Sequence, residues 1–305
     1  MAEVDARANL AESLDGIDVL VNSASYRVNL DAMRACLEAG CHYIDLGGLY
    51  HLTGEQLELG PQFEAAGLLA LLGMGSSPGK TNVMAVRAVE ELGRTPERIE
   101  VLAAGRDLDP PGGPSYPYAP RTLVDELTEP PMAIRGGEPV ALEPMQDGGS
   151  YPFPDPIGEG AMIYTLHSEV RTFGESFGCR ECSFRLSLAP AVLERVRALV
   201  GASQEAIDDA GKEAVPASPQ TGSAHVVSAD GVTVTAVTRG MQEWGLGGGI
   251  VSTAAPAAAA VRLLARGAIE ARGALPPERC VRPDDLFPEL ERRNCVFNTE
   301  VNAIR

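Results

Sequence analysis

Between Asp18 and Gly105, short apolar runs alternate with segments of helical periodicity, and few folds accommodate that pattern. DVLVNSA (18–24) is a valine-rich run suited to a strand buried on both faces. NLDAMRACLEAG follows, with Leu30, Met33 and Leu37 at helical spacing and Gly40 as the stop. CHYIDLGG predicts a second strand, and EQLELGPQFEAAG a helix interrupted around Gly60-Pro61. LLALLGMG predicts a third strand, SPGKTNVMAVRAVEELG a helix with Pro78 in its first turn and Gly93 at its end, and RIEVLAAG a fourth strand. Strands and helices alternating in units of roughly 25 residues imply parallel strands joined by right-handed crossovers, a doubly wound α/β sheet.

Beyond Arg106 the pattern changes. DLDPPGGPSYPYAP is a Pro/Gly-rich connection, CSFRLSL reads as an alternating strand and LAPAVLERVRALVG as an amphipathic helix. HVVSADGVTVTAVTRG predicts two strands around an Asp230-Gly231 hairpin turn. From Ser252, STAAPAAAAVRLLARGAIEARG is an alanine-rich helix. The expected organisation is an α/β domain at 1–107, an α+β domain with a mixed sheet at 108–250, and a C-terminal segment at 251–305 that returns to the first.

A net charge of −17 argues against nucleic acid or an anionic membrane as partner. No basic-then-apolar leader or membrane-length apolar run is evident, and six scattered cysteines read as reduced thiols, so the expected location is cytoplasmic. Cys179 and Cys182 spell C-x-x-C, but no second pair or histidine lies at zinc spacing, and a redox pair should open a helix rather than run into a strand. A structural role is expected for them, and no metal site is assigned.

LLGMGSSPGKTNVM imitates a phosphate loop. That loop needs four residues between its first glycine and the Gly-Lys pair, and Met74 holds the first glycine's position. In a doubly wound sheet, ligands sit beyond the carboxyl ends of the strands. Those ends carry Asn22-Ser23-Ala24-Ser25, then Asp45-Leu46-Gly47-Gly48, then Ser76, Ser77 and Gly79 of the third turn. Their small side chains would let a flat ligand approach the backbone, with Lys80 only a first-turn helix residue. His167 and Glu169, two apart, would point to one face of a strand, where a His–carboxylate pair can move a proton or bind an ammonium. Asp45 is a candidate to hold an amine or a ribose, and Tyr164 and Arg239 are candidates for the substrate, the arginine for its carboxylate.

VNSASYRVNLDAMRACLEAGCHYIDLGGLYHLT, followed by LLALLGMGSSPGKTNVMAVRAVE, resembles the saccharopine dehydrogenase-like family, in its lysine 6-dehydrogenase and saccharopine reductase-type branch. YTLHSEVRTF, STAAPAAAAVRLLARGAI and GALPPERCV extend the resemblance over nearly the whole chain. It implies a Rossmann-like dinucleotide-binding domain with NAD or NADP as cofactor. It also implies a substrate and dimerisation domain, a homodimer, and oxidation of the carbon–nitrogen bond of lysine or a lysine-like amino acid. The cofactor's ribose and nicotinamide would lie among Asn22, Ser23, Ala24, Asp45, Leu46, Gly47, Gly48, Ser76, Ser77 and Gly79, with His167, Glu169 and Asp45 in catalysis.

The chain departs from the family at its start, where the first strand, its glycine-rich turn and the acidic residue ending the second strand are missing, and at Ser25, where the family's turn commonly has proline. No G-x-G-x-x-G turn occurs in it, and GLGGGI (245–250) places Ile250 at the last glycine position. Met1 falls where the family's helix before DVLVN should lie, so the reading frame is expected to begin late. The alternative is a remnant that acts as a binding or dimerisation protein.

Overall fold

The computed structural model describes Asp5 and residues 7–301. Two sheets organise the chain. The smaller is all parallel, with strands Val19–Asn22, His42–Asp45, Leu69–Leu71 and Gly273–Leu275 side by side in that order. The crossovers fall where the periodicity places them. The helix Asn29–Ala39 is stopped by Gly40 in the left-handed conformation, φ 75°. The second crossover is broken into Leu49–Leu57 and Gly60–Ala65, with Pro61 in the first turn of the latter. The third is Lys80–Leu92, ended by Gly93 at φ 68°.

The larger sheet has nine strands, with Arg98–Asp107 at its centre. This strand corrects the sequence reading. It does not extend the parallel sheet but pairs antiparallel with Thr221–Ala229 and parallel with Glu181–Ser187. The position it would have taken beside Leu69–Leu71 is filled by Gly273–Leu275, from near the end of the chain. The physical reason is that a strand covered on both faces reads as the same apolar run in either sheet. The hairpin Thr221–Ala229/Val232–Arg239 turns through Asp230 and Gly231, both at positive φ as a two-residue turn of this hand requires. The sheet closes on Cys295–Val301 at one edge.

Register divides the large sheet into two faces. Val101, Ala103, Phe184, Val227, Val234 and Ala236 belong to the main core, shared with the helix Lys80–Leu92 and the strands Leu69–Leu71. Leu102, Ala104, Ala224 and Val226 point the other way, onto Phe153, Ile157 and Met162 from a second hairpin, Asp147–Phe153 and Gly158–Tyr164. The alanine-rich helix begins at Gly248, earlier than its alanines suggest, and runs to Ala265. Its length and apolarity match those of a membrane crossing, but half of it is buried against the hairpin strands and the helix Pro283–Glu291.

Candidate active site at the GSSPG turn

The turn Gly75–Gly79 follows the third parallel strand and meets the inner face of the large sheet, where Ser76 Oγ is 2.9 Å from His225 Nε2. Asp45 is almost fully buried and organises the strand ends. Its Oδ1 accepts from the backbone N–H groups of Gly47 (2.9 Å) and Gly73 (2.6 Å), and its Oδ2 from Gln56 (2.6 Å) and Asn29 (3.1 Å). Burial raises its carboxyl, against the pull of these donors. Asn22 joins the network, giving Nδ2–H bonds to Asn29 and Tyr43 while its Oδ1 accepts from Ala24 N–H. With all four lone-pair sites occupied internally, Asp45 builds the turns rather than offering a free carboxylate.

The glycines of these turns have a different cause from the one expected. A Cβ on Gly73 would lie 2.7 Å from Pro78 Cγ, and one on Gly47 2.9 Å from the same atom. Both also hold positive φ, 72° and 128°. They make room for the ring of Pro78, which follows a cis peptide bond and precedes the helix instead of occupying its first turn. Ser23, Ala24 and Ser25 are exposed, and Leu46, Gly47, Ser76 and Ser77 are half-buried, so the solvent-facing rim is lined with hydroxyls and backbone.

His167 and Glu169 do come together, though not on a strand. His167 lies in the loop after Gly158–Tyr164, and Glu169 opens the helix Glu169–Phe177, where a carboxylate is favoured by the helix N-terminus. His167 Nδ1 is 2.9 Å from Glu169 Oε2. Glu169 Oε1 accepts from Ser77 (2.6 Å) and Thr81 (2.8 Å), which binds the pair to the GSSPG turn. Phe184 stacks on the imidazole, centroids 3.6 Å apart and planes within 14°. Burial alone would raise the Glu169 carboxyl; the His167 charge and the three hydrogen bonds overcome it and hold the group below its ordinary value. Burial likewise acts to lower His167, but the charges of Glu169 and Glu126 and the hydrogen bond His167 donates to Glu169 raise it. The buried Glu126, which accepts from Tyr118, is a second carboxylate bearing on this histidine. The arrangement is a protonatable imidazole bonded to the Glu169 carboxylate, with the Glu126 carboxyl, raised by its own burial, as a second acidic neighbour.

Lys80, expected as an ordinary helix residue, is 1% exposed, with Nζ bonded to Ser252 Oγ (2.6 Å) and Thr238 Oγ1 (3.1 Å). Ser252 Oγ is 2.8 Å from Ser76 Oγ, which in turn is 2.9 Å from His225 Nε2. Sequence reasoning missed His225. The signal was there, a lone histidine within an apolar alternating strand whose face is set by the Asp230-Gly231 turn.

Tyr164 and Arg239 are not brought to this cluster. Tyr164 pairs with Arg185, and Arg239 is adjacent to Thr238, so the alternation that turns Leu186 and Thr238 toward the core turns these two to the far face. Arg239 there lines an open groove with Leu108, Gly222 and Val296. Cys179 and Cys182 are both buried, Cys182 on the strand Glu181–Ser187.

Three comparisons bear on this geometry. Residues 2–71 match the family model described as the saccharopine dehydrogenase NADP binding domain, the cofactor class expected from the sequence. The chain is 24% identical over 215 residues to carboxyaminopropylagmatine dehydrogenase of Synechocystis sp., covering 66% of this chain and 52% of that protein. It is 29% identical over 120 residues to carboxynorspermidine synthase of Vibrio alginolyticus, covering 33% of this chain and 29% of that protein. The matched stretches thus span about half or less of these curated relatives. Apo saccharopine dehydrogenase (L-Glu forming) from Saccharomyces cerevisiae superposes with a TM-score of 0.65 at 15% identity, over 98% of this chain and 88% of that one. Residues 2–71 are thus similar in sequence to the saccharopine dehydrogenase NADP binding domain, and nearly the whole chain shares the fold of the yeast saccharopine dehydrogenase.

Proposed function

We propose that the chain serves an NAD- or NADP-dependent oxidoreduction of a carbon–nitrogen bond, with an amino-acid or polyamine-like substrate held at the GSSPG turn. The observation that carries this reading is the buried His167–Glu169 pair, fixed by Ser77 and Thr81 on a strand-end turn of the parallel sheet. Ligands of such sheets bind at that end.

The residues present fit the ribose and nicotinamide end of a dinucleotide. The rim offers the hydroxyls of Ser23, Ser25, Ser76 and Ser77 and the half-buried backbone of Leu46 and Gly47, with no bulky side chain among them. Asn22, Asp45 and Gly48 shape that rim from beneath, Asp45 through its bonds to Gly47 and Gly73. The nicotinamide supplies the hydride acceptor or donor. The chain's own contribution is proton handling and positioning. His167, favoured in its protonated form by Glu169, gives a proton to a substrate nitrogen, and in its neutral form takes one from that nitrogen or from an attacking water. The carboxylates and the net charge of −17 suit a cationic amine.

Lysine or a lysine-like amino acid is the narrower proposal. The names of the two curated relatives direct the same test toward carboxylated polyamines. A homodimer in the cytoplasm belongs to this reading too, supported by the apolar residues Leu108 and Val296 exposed on the far face of the large sheet and by six free cysteines. Titration with NADPH and NADH, followed by quenching of protein fluorescence, tests the reading. Saturable binding that protects the GSSPG segment from hydrogen exchange is expected. Absence of binding by both nucleotides would replace the reading with that of a binding or dimerisation protein.

A further inference from the structure

Lys80 is one of only two lysines in the chain, and its environment is unlike that of an ordinary cation. It is 1% exposed and its partners are hydroxyls, Ser252 and Thr238, rather than a carboxylate. The contacts run outward from it in a line: Lys80 Nζ to Ser252 Oγ at 2.6 Å, Ser252 Oγ to Ser76 Oγ at 2.8 Å, and Ser76 Oγ to His225 Nε2 at 2.9 Å. Ser76 is half-buried on the rim, so the line meets the site there, while its ends at Lys80 and His225 lie in the core.

Hydrogen-bond accounting gives the line a direction. His225 is 4% exposed and its Nδ1 has no partner among the described residues. An orphaned buried N–H is rarer and costlier than an unused lone pair, so the hydrogen belongs on Nε2, where it is donated to Ser76. Ser76 O–H is then free to donate to Ser252, whose oxygen can also accept from Lys80 Nζ; when Lys80 is a neutral amine, Ser252 O–H can instead donate to the Nζ lone pair. Thr238 takes a proton donated by the same amine. Every bond in the line is satisfied when Lys80 is a neutral amine.

We propose that Ser76, Ser252 and Lys80 form a second proton path, separate from His167–Glu169, along which a proton taken from the substrate at Ser76 passes inward to the Lys80 amine. The proposal rests on the oxidoreductase reading above. In the step, the substrate ammonium N–H bond breaks as a new O–H bond forms on Ser76. The original Ser76 proton moves to Ser252 and the Ser252 proton to Lys80 Nζ, leaving a neutral substrate amine and a Lys80 ammonium. Reversal returns the proton, so no oxidant or reductant enters. His225 positions Ser76 by occupying its lone pair. Burial lowers the Lys80 ammonium from the ordinary lysine value and so supports a neutral resting amine. The titratable and charged groups around it are His225 from the strand Thr221–Ala229, Cys295 on the edge strand, and Arg293 just before it. A charge on His225 acts in the same direction as burial, and Cys295 opposes it.

Selective labelling of lysine and histidine with carbon-13 and nitrogen-15 tests this directly, with the exposed Lys212, raised by its bond to Asp209, and free lysine as references. In the chain alone, the Lys80 side-chain resonances are expected to titrate at lower pH than those of Lys212 and of free lysine. Ser252→Ala should move the Lys80 midpoint, and Ser76→Ala the His225 Nε2 resonance. Lys80 titrating with or above free lysine, or insensitive to Ser252→Ala, would overturn the path. In turnover, Ser76→Ala and Lys80→Met should each lower kcat by about 10²–10⁴-fold with little change in KM, and remove the acidic limb of the pH profile. Wild-type rates in Ser76→Ala and Ser252→Ala would also overturn it. If no amine is turned over by the wild-type chain, the oxidoreductase reading fails, and the resonances still decide whether Lys80 is the neutral end of the line.

Discussion

Glu169 is the residue on which the candidate site most depends, and replacing it separates its charge from its shape. Glu169→Ala removes an acceptor that serves His167, Ser77 and Thr81 inside the protein. Breaking a buried, hydrogen-bonded pair by deleting one partner costs about 3–5 kcal/mol. Glu169→Gln keeps one oxygen for Ser77 and Thr81 and loses the charge toward His167. The expected cost is that of one charge-assisted hydrogen bond, about 1.5–3 kcal/mol. At the ~2 °C per kcal/mol appropriate to a chain of this size or a little smaller, these become losses of about 6–10 °C and 3–6 °C in Tm.

The pH dependence of that loss has a definite sign. His167 is raised in the fold, so its contribution is full below its ordinary value of 6.5 and disappears as pH rises through the folded value. Glu169 is lowered, so its contribution is full above 4.5 and disappears as pH falls through its folded value. The gap between wild type and Glu169→Gln should therefore be widest between those ordinary values and narrow toward alkaline pH. Thermal melts of the three proteins across that range measure it. Equal Tm values for wild type and Glu169→Gln at every pH would refute the buried pair.

Two further perturbations test the scaffold beneath the site. Asp45→Ala strands the backbone N–H groups of the buried Gly73 and the half-buried Gly47, at about 1–3 kcal/mol each, so urea unfolding should shift by roughly 2–6 kcal/mol; a shift under ~1 kcal/mol would mean that the carboxylate is not the organiser of the turns. Gly73→Ala forces a side chain into left-handed backbone and onto the Pro78 ring, for about 2–5 kcal/mol in the same assay, whereas a stability equal to wild type would show that the ring has room to move.

Much of this architecture was legible because local signals agreed with the global fold. The crossover helices stop at Gly40 and Gly93 where the sequence says they should, and the Asp230-Gly231 turn fixes the register of the hairpin. The strand-end turns were located for the same reason. What was not legible depends on contacts between distant segments. Arg98–Asp107 carries an apolar run that suits either sheet, and only the return of Gly273–Leu275 decides which one it joins. Lys80 follows a turn and begins a helix, where a lysine is ordinarily solvated; its burial comes from Thr238 and Ser252, more than 150 residues away in each case. His167 and Glu169 were paired correctly from their spacing, yet the helix Glu169–Phe177, not a strand, makes the pair. Tyr164 and Arg239 have chemistry suited to a substrate, but the period of two along their strands sends them to the far face.

The central claim is that this turn carries carbon–nitrogen oxidoreduction with a nicotinamide cofactor. It is tested most directly by the rate of amine-dependent NADP reduction, compared between wild type and His167→Ala, with lysine and carboxylated polyamines as substrates. The account predicts measurable turnover by the wild type and a kcat lower by about 10²–10⁴-fold in a folded His167→Ala. Equal rates in the two proteins, or no nicotinamide reduction by a wild type that binds both NADP and the amine, would contradict it.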